Sequence, residues 1–155
     1  NKAKKAVALF DLIHSVDSLR LAQALDRYAG EQGRRLSILL QVNVSGEATK
    51  EGFALAGWDE RPALVEPFSA EVGRILELPN LAVRGLMTIA PGSADPEATR
   101  PIFRATRHLR DLLARRFPGA EWHDLSMGMT DDFEVAIEEG ATIVRVGRAL
   151  FGARQ

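Results

Sequence analysis

Short apolar segments alternate with segments of helical periodicity along most of this chain. The apolar segments have the length and residue types of β-strands. We predict strands over Leu12 to Val16, Leu36 to Val44, Leu81 to Ile89, Trp122 to Ser126 and Thr142 to Val146. The second of these is almost continuously apolar, which is typical of a strand that is covered on both faces.

Between these strands, apolar residues recur about every three to four positions, which indicates amphipathic helices. We predict helices over Ser18 to Ala29, Pro62 to Glu77, Pro96 to Phe117 and Asp131 to Glu139, with a last one from Arg148 onward. Asp17 or Ser18 is expected to cap the first of them, and Asp131 and Glu134 have the spacing of a capping box. The polar, Gly-containing stretch Ser45 to Trp58 is predicted to be mainly a loop.

This alternation, without a hairpin signal between strands, indicates parallel strands joined by crossover helices. An open doubly wound sheet and a closed barrel both have this order of elements. A complete eight-stranded barrel usually needs roughly 200 to 250 residues, whereas this chain has 155. The sequence therefore predicts a single α/β domain over residues 1–155, which as a barrel would be incomplete.

The composition excludes several classes of function. A formal net charge of −1 provides no bulk attraction to nucleic acid or to an anionic membrane surface. The absence of cysteine excludes disulfides and thiolate metal sites, and it fits a cytoplasmic location. No apolar segment is long enough to span a bilayer, and His123 beside Asp124 does not by itself make a metal site. We therefore predict no metal and no nucleic-acid or membrane partner.

In parallel sheets, the residues at the carboxyl ends of the strands carry the chemistry. The last two predicted strands end near Ser126 and Gly128, and near Arg145 and Gly147. Gly147 lies between a strand and a helix, where backbone N–H groups are open to a phosphate. Arg145 lies in an apolar strand, which is unfavourable unless the guanidinium meets a partner. That partner is either Asp124, in a salt bridge, or a ligand.

Three further strand ends carry residues that each have two interpretations. His14 is either a hydrogen-bonded core or rim histidine or a ligand contact. Asn43 either orients a ligand or holds a loop, and Met87 either lines a pocket or belongs to the core. Because no nucleophile, acid and base are arranged together, we predict no catalytic residue.

Five segments of the chain form a specific set when they are taken in order and with their spacing. They are Ile13 to Asp17, Gln41 to Val44 with Lys50 and Gly52, Gly85 to Met87, Leu125 to Met129 with Asp131 and Asp132, and Val144 to Gly147 with Phe151 and Gly152. Together they resemble the pyridoxal phosphate homeostasis proteins, also called the YggS or PROSC family. The resemblance covers almost the whole chain and is weakest from Phe53 to Glu71.

The resemblance implies a parallel (β/α)8 TIM barrel of the alanine racemase N-terminal domain type, with about the first three strands missing from this chain. It also implies pyridoxal 5′-phosphate (PLP) at the C-terminal end of the barrel. Ser126 would contact the phosphate through its hydroxyl, and Arg145 would approach the pyridine nitrogen. Gly147 and Arg148 would contact the phosphate mainly through backbone N–H groups. The predicted cofactor-binding set is completed by Gly128, Met87, Asn43 and His14.

An arginine beside the pyridine nitrogen disfavours protonation of the ring, which makes the cofactor a poorer electron sink. The resemblance therefore implies PLP binding and a part in intracellular PLP homeostasis, without clear catalytic turnover. Two alternatives stay open at this point. One is a PLP-dependent, racemase-like enzyme of fold type III that acts on amino acids, and the other is a phosphate-binding barrel that does not use PLP.

Members of the family carry a Schiff-base lysine near the end of the first strand. Lys2, Lys4 and Lys5 lie in a predicted N-terminal helix and do not correspond to that lysine. The resemblance thus implies a barrel without its first strands and without this lysine, which leaves two open sheet edges. Open edges can pair with another chain. We therefore expect either weak, non-covalent PLP binding by the chain alone, or a chain that is stable only when a partner, such as a second copy, covers these edges.

Overall fold

The computed structural model describes residues 2–152. The strands are β1 (Leu12–Val16), β2 (Leu36–Asn43), β3 (Phe53–Ala54), β4 (Leu81–Met87), β5 (Asp124–Met129) and β6 (Ile143–Arg145). The helices are α1 (Ala3–Leu9), α2 (Leu19–Glu31), α3 (Val65–Leu76), α4 (Arg100–Arg116), α5 (Phe133–Glu138) and α6 (Arg148–Phe151). Asn1, and any part of the predicted last helix beyond residue 152, lie outside the described residues.

The strands form a parallel sheet, as the alternation of elements predicts. The order is β1-β2-β4-β5-β6, and the short strand β3 pairs with β2 beside this path. The sheet is curled, because the His14 side chain of β1 reaches Ser126 of β5 although β2 and β4 lie between these strands. This curvature is that of a partial barrel.

The hydrophobic core lies between the sheet and the helices that cover it. Leu36, Ile38 and Leu40 of β2 are fully buried, and they belong to one cluster with Val72 and Ile75 of α3. Each such side chain contributes about 1.5–3 kcal/mol when it is fully buried. The alternate positions of β2 therefore point away from the helices, toward the inside of the curled sheet.

Strands β4 and β5 approach each other very closely at Gly85. Its φ is +152°, and a Cβ atom there would lie 1.9 Å from the carbonyl oxygen of Asp124. Only glycine fits such a position without moving one of the strands. This close approach keeps Met87 in register with Ser126 on the next strand.

The stretch Ser45 to Trp58 is mainly a loop, as predicted, and it also contains β3, whose two residues are too few to give a periodic signal. One predicted strand boundary is wrong. The strand predicted over Trp122 to Ser126 is β5, which begins at Asp124 and continues to Met129. Gly128 therefore lies inside a strand rather than in the turn that follows it.

Of the two predicted N-terminal helix caps, the one on α2 is confirmed and the one on α5 is wrong. Ser18 Oγ accepts the backbone N–H of Leu21, as a cap of α2 should. The capping box that was predicted at Asp131 does not form, because α5 begins only at Phe133. The carboxylate of Asp132 instead accepts the backbone N–H of Met129 at 2.6 Å, which tightens the turn after β5.

The two outer strands of the sheet, β1 and β6, have fewer pairing partners than the central strands. In the part of the chain that the structure describes, β1 pairs only with β2, and β6 pairs only with β5. Both strands therefore carry a row of backbone groups that no neighbouring strand uses. Among the same residues, no helix has the length and apolar character needed to cross a membrane.

Candidate functional site

Three side chains from three strands meet on the inner side of the curled sheet. His14 Nδ1 lies 2.8 Å from Ser126 Oγ, and Arg145 Nη1 donates to the same oxygen at 2.6 Å. Ser126 is fully buried, while His14 and Arg145 are half-buried. We call this group the His14–Ser126–Arg145 cluster. The sequence predicts all three as cofactor-binding residues, but their mutual contacts depend on the curvature of the sheet.

Arg145 is a half-buried cation whose hydrogen-bond partners are neutral. Besides Ser126, its guanidinium donates to the carbonyl oxygen of Thr88 at 3.0 Å. Among residues 2–152, no carboxylate lies within 4 Å of the Arg145 guanidinium. The carboxylate of Asp124 pairs with Arg84, whose Nε lies 3.6 Å from Asp124 Oδ2. The salt bridge to Asp124 that the sequence left open is therefore not formed. Burial lowers the pKa of the Arg145 guanidinium, and the charge of Asp132 partly opposes this.

His14 lies in an environment that favours its neutral form. Burial lowers the pKa of the imidazole below its usual value, and the positive charge of Arg145 lowers it further. The negative charge of Asp124 acts in the opposite direction and is the weaker influence. A neutral imidazole has one nitrogen that can accept a hydrogen bond.

Thr88 is a member of this site that the sequence analysis missed. It follows the last residue of β4, and its backbone N–H donates to the carbonyl oxygen of Ser126 at 3.1 Å. Its hydroxyl donates to the carbonyl oxygen of Val42 at 2.8 Å, which ties together the ends of β2, β4 and β5. The only signal in the sequence is its place at a strand end, directly after Met87.

The turn between β6 and α6 is exposed at the edge of the cluster. Among residues 2–152, apart from its own chain neighbours, no atom lies within 4 Å of the position that a Cβ on Gly147 would take, so packing within this part of the chain does not require glycine there. The side chain of Arg148 bonds to Asp131, and the backbone N–H of Ala149 bonds to the Thr130 hydroxyl at 3.3 Å. As far as residues 2–152 are concerned, the space beside Gly147 is therefore open to a ligand.

Gly128 and Met87 differ in how they relate to the cluster. Gly128 has φ +94°, and a Cβ there would come within 2.6 Å of Ala136, so glycine is needed for α5 to pack on β5. Met87 pairs with Gln41 on one side and with Ser126 on the other, which places these three residues in one row across the sheet. Met87 therefore lies directly beside the cluster, whereas Gly128 has a packing role.

Asn43 lies at the end of β2 and uses its amide within its own loop. Its Nδ2 donates to the carbonyl oxygens of Glu47 and Lys50 at 3.0 and 3.1 Å. Its Oδ1 accepts from the Ser45 hydroxyl and from the Gly46 backbone, both at 3.0 Å. In this structure, Asn43 therefore holds its loop, which is one of the two roles that the sequence left open for it.

Two other kinds of site, a cavity at the opposite end of the sheet and a metal centre, are less suited to bind a ligand or are not found in the described chain. A cavity of about 500 Å³ opens at the opposite end of β4, where Arg35, Leu81 and Phe117 line it. Its position is at the amino end of the sheet, whereas polar side chains converge at the carboxyl end. Within residues 2–152, no three His, Asp or Glu side chains are grouped so that they could hold a metal ion.

Comparison with protein families defines the class to which the fold and this site belong. The model of the family described as alanine racemase, N-terminal domain, matches residues 1–155. The chain therefore belongs to the alanine racemase N-terminal domain family. This confirms the predicted fold class, of which the described strands form a partial barrel.

Within this class, the chain is similar to curated proteins named pyridoxal phosphate homeostasis protein. The one from Aquifex aeolicus is 48% identical over 155 residues, which are 100% of this chain and 63% of the relative. The one from Pseudomonas aeruginosa is 44% identical over 154 residues, which are 99% of this chain and 60% of the relative. The chain thus spans less than two thirds of the length of these relatives. The resemblance predicted from the sequence is confirmed.

Solved structures of longer chains agree with this placement. PipY of Synechococcus elongatus, solved with PLP bound, has a TM-score of 0.83 and 41% identity, and the match covers 98% of this chain and 66% of PipY. Alanine racemase of Clostridium difficile in complex with cycloserine has a TM-score of 0.72 at 17% identity. That match covers 99% of this chain and 39% of the racemase, and it shows a common fold alone.

Proposed function

We propose that this chain binds PLP at the His14–Ser126–Arg145 cluster and takes part in PLP homeostasis in the cytoplasm. The observation that carries the proposal is the half-buried Arg145, which has two neutral partners and no carboxylate within 4 Å among residues 2–152. A cation removed from water is unfavourable without an opposite charge, and an anionic ligand supplies one. The PLP bound to PipY and the name of the curated relatives support PLP as that ligand.

The residues at this end of the sheet fit the chemistry of the cofactor. Ser126 supplies a hydroxyl, and the Gly147–Arg148 turn supplies exposed backbone N–H groups with free space beside them. These three residues would hold the phosphate, and Arg145, which bonds to Ser126 at 2.6 Å, would face the pyridine nitrogen with the phosphate charge close by. When it is bound, PLP supplies an electron-withdrawing ring and a reactive aldehyde. Met87, beside Ser126 in its row, would line the same site.

We further propose that the chain holds and releases PLP without turnover of amino acids. Arg145 keeps its proton at all ordinary pH values, so it cannot transfer a proton to the ring nitrogen. His14 Nδ1 is already bonded to Ser126, so this nitrogen is not free to take a proton from an amino acid. Turnover of D- or L-alanine above the level of PLP in buffer would contradict this part of the proposal.

Equilibrium dialysis of this chain against PLP tests the binding itself. We expect saturable, non-covalent binding that inorganic phosphate reverses and that Arg145→Met weakens. His108→Gln is a matched control, because His108 is exposed on α4 and lies outside the cluster. Absence of saturable binding would sink the proposal. Equal binding of phosphate and PLP would favour a phosphate-binding barrel in its place.

The free edges of the sheet support a proposal about partners. Strands β1 and β6 each pair on one side only within the described residues, so we propose that two copies of the chain associate through them. Light scattering after size exclusion should give a mass that rises with concentration. Ser15→Lys, at an exposed position of β1, should shift the equilibrium toward monomer. A constant monomer mass would contradict edge pairing.

A further inference from the structure

The hydroxyl of Ser126 has a definite hydrogen-bond direction in the cluster. A serine hydroxyl has one proton to donate, and arginine can only donate. Ser126 Oγ therefore accepts from Arg145 at 2.6 Å. In the described part of the chain, its other partner is His14 Nδ1 at 2.8 Å. Because a buried hydroxyl proton needs an acceptor, Ser126 donates to Nδ1, and the imidazole carries its proton on Nε2.

The surroundings of His14 agree with an unprotonated Nδ1. Burial and the charge of Arg145 on β6 hold the pKa of the imidazole below its usual value, and Asp124 on β5 opposes them only in part. The strand that pairs with β1 is β2, and it contains no ionisable residue from Leu36 to Asn43. At neutral pH, the ring is therefore neutral and can accept the Ser126 proton.

A phosphate changes this arrangement, because its oxygens accept hydrogen bonds. If Ser126 donates its single proton to a phosphate, it no longer donates to His14. Nδ1 and Oγ then face each other with lone pairs at hydrogen-bond distance, which is repulsive. The repulsion is removed when Nδ1 gains a proton, either from Nε2 of the same ring or from solvent. In both cases the ring then donates to Ser126, and all protons are accounted for.

We propose that His14 is a positioning residue that switches from hydrogen-bond acceptor to donor when a phosphate group binds at Ser126. This inference rests on the proposed function, since it takes Ser126 as the phosphate contact. His14 acts on the ligand only through the Ser126 hydroxyl, which it holds in place and whose direction it sets. The site can therefore present a buried serine donor to an anion without leaving the hydroxyl unpaired in either state.

Nitrogen NMR of the ¹⁵N-labelled chain at neutral pH tests the switch, with inorganic phosphate as the probe. We expect His14 to have an unprotonated Nδ1 in the free protein and a protonated Nδ1 at saturating phosphate. The amide signals of Gly147 and Arg148 report phosphate binding independently. Binding that leaves Nδ1 unprotonated overturns the switch and keeps the proposed function. If no phosphate binds, the switch is overturned, while the dialysis against PLP decides the proposed function separately.

Substitutions provide a second measurement that does not depend on the histidine signals. His14→Asn places an amide near the position of Nδ1 that can donate or accept, so phosphate affinity should stay close to that of the unchanged chain. His14→Ala should weaken phosphate binding about tenfold, as expected for the loss of one hydrogen bond in a buried network. His108→Gln on the exposed face of α4 is the control. Equal affinity of the Ala and Asn variants, when both are folded, would overturn the positioning role.

Discussion

Glu139 and Arg145 are both charged side chains that the fold shields from water, but their surroundings differ. Glu139 follows α5 and is only 6% exposed. It accepts hydrogen bonds at 3.0 to 3.2 Å from three residues of α4, which are Arg100, Arg104 and Arg107. These guanidinium groups lower the pKa of Glu139 to about 2. Its opposite charge is thus supplied entirely by its own chain.

Arg145 has no such compensation within the described residues. Its guanidinium donates to the hydroxyl of Ser126 and to the carbonyl of Thr88, which are both neutral. A compensated buried charge contributes to holding the fold together, whereas an uncompensated one is unfavourable for folding. The difference indicates that Glu139 serves the attachment of α5 to α4, and that Arg145 is kept for a ligand. Removing each charge should therefore affect different measurements.

The largest effect is expected for Arg145→Met on ligand binding. Hydrogen bonds to charged groups contribute about 1.5–3 kcal/mol, so the affinity for PLP should fall about 10- to 150-fold. The free energy of unfolding without ligand should stay the same or rise, because a desolvated cation is removed. Dialysis and urea unfolding measure the two quantities. A large loss of stability with unchanged affinity would mean that Arg145 is a structural residue like Glu139.

The converse result is expected for Glu139→Gln. Three arginines lose their common carboxylate, so the free energy of unfolding should fall by about 2 kcal/mol, which corresponds to a Tm about 4–8 °C lower. The affinity of the folded variant for PLP should not change. Glu138→Gln is the matched control, because Glu138 is exposed and bonds only to Arg100 within the described chain. Comparable losses for both variants would contradict the special role of Glu139.

The two regions should also respond to pH in separate windows. The carboxyl of Glu139 has its pKa lowered from 4.5 to about 2, so its stabilisation is complete above pH 4.5 and is lost as the pH falls toward 2. The imidazole of His14 has its pKa lowered from 6.5. Folding therefore favours its neutral form, and this stability is lost as the pH falls below 6.5.

Urea unfolding as a function of pH separates the two contributions. Glu139→Gln should remove the dependence below pH 4.5, and His14→Asn should remove the shallower dependence that starts near pH 6.5. Each variant should leave the other window unchanged, because the two groups titrate in different regions of the molecule. A pH dependence that persists in both variants would show that other groups dominate.

Local patterns in the sequence were sufficient for the order of elements and for the residue types at the strand ends. The apolar run of β2 and the Ser18 cap are local features, and both are confirmed. The contact between His14 and Ser126 spans 112 positions and depends on how far the sheet curls. Nothing in the local sequence specifies that curvature, so the cluster could be predicted only as separate residues.

The roles of individual residues were harder to infer, because one residue type serves several purposes. Gly128 and Gly147 look equivalent in the sequence, yet a Cβ at Gly128 would clash with Ala136, whereas a Cβ at Gly147 would contact none of the other described residues. Thr88 carries no chemical signal, and its importance comes from the carbonyl oxygen that it presents to Arg145. Backbone groups of this kind are set by the fold and not by the type of side chain.

Asn43 extends the comparison of Glu139 and Arg145 to a neutral side chain. Its substitution is expected to lower the free energy of unfolding less than the substitution of Glu139 does. Its amide is satisfied within its own loop by Glu47 and Lys50, as Glu139 is satisfied by its arginines. Asn43→Ala should therefore lower the free energy of unfolding by about 1 kcal/mol and speed amide hydrogen exchange from Ser45 to Gly52. Asn43→Asp keeps the acceptor oxygen and should retain part of the protection. PLP affinity of the folded variants should not change. A tenfold loss of affinity with unchanged exchange would instead make Asn43 a ligand contact, so this measurement decides between its two interpretations.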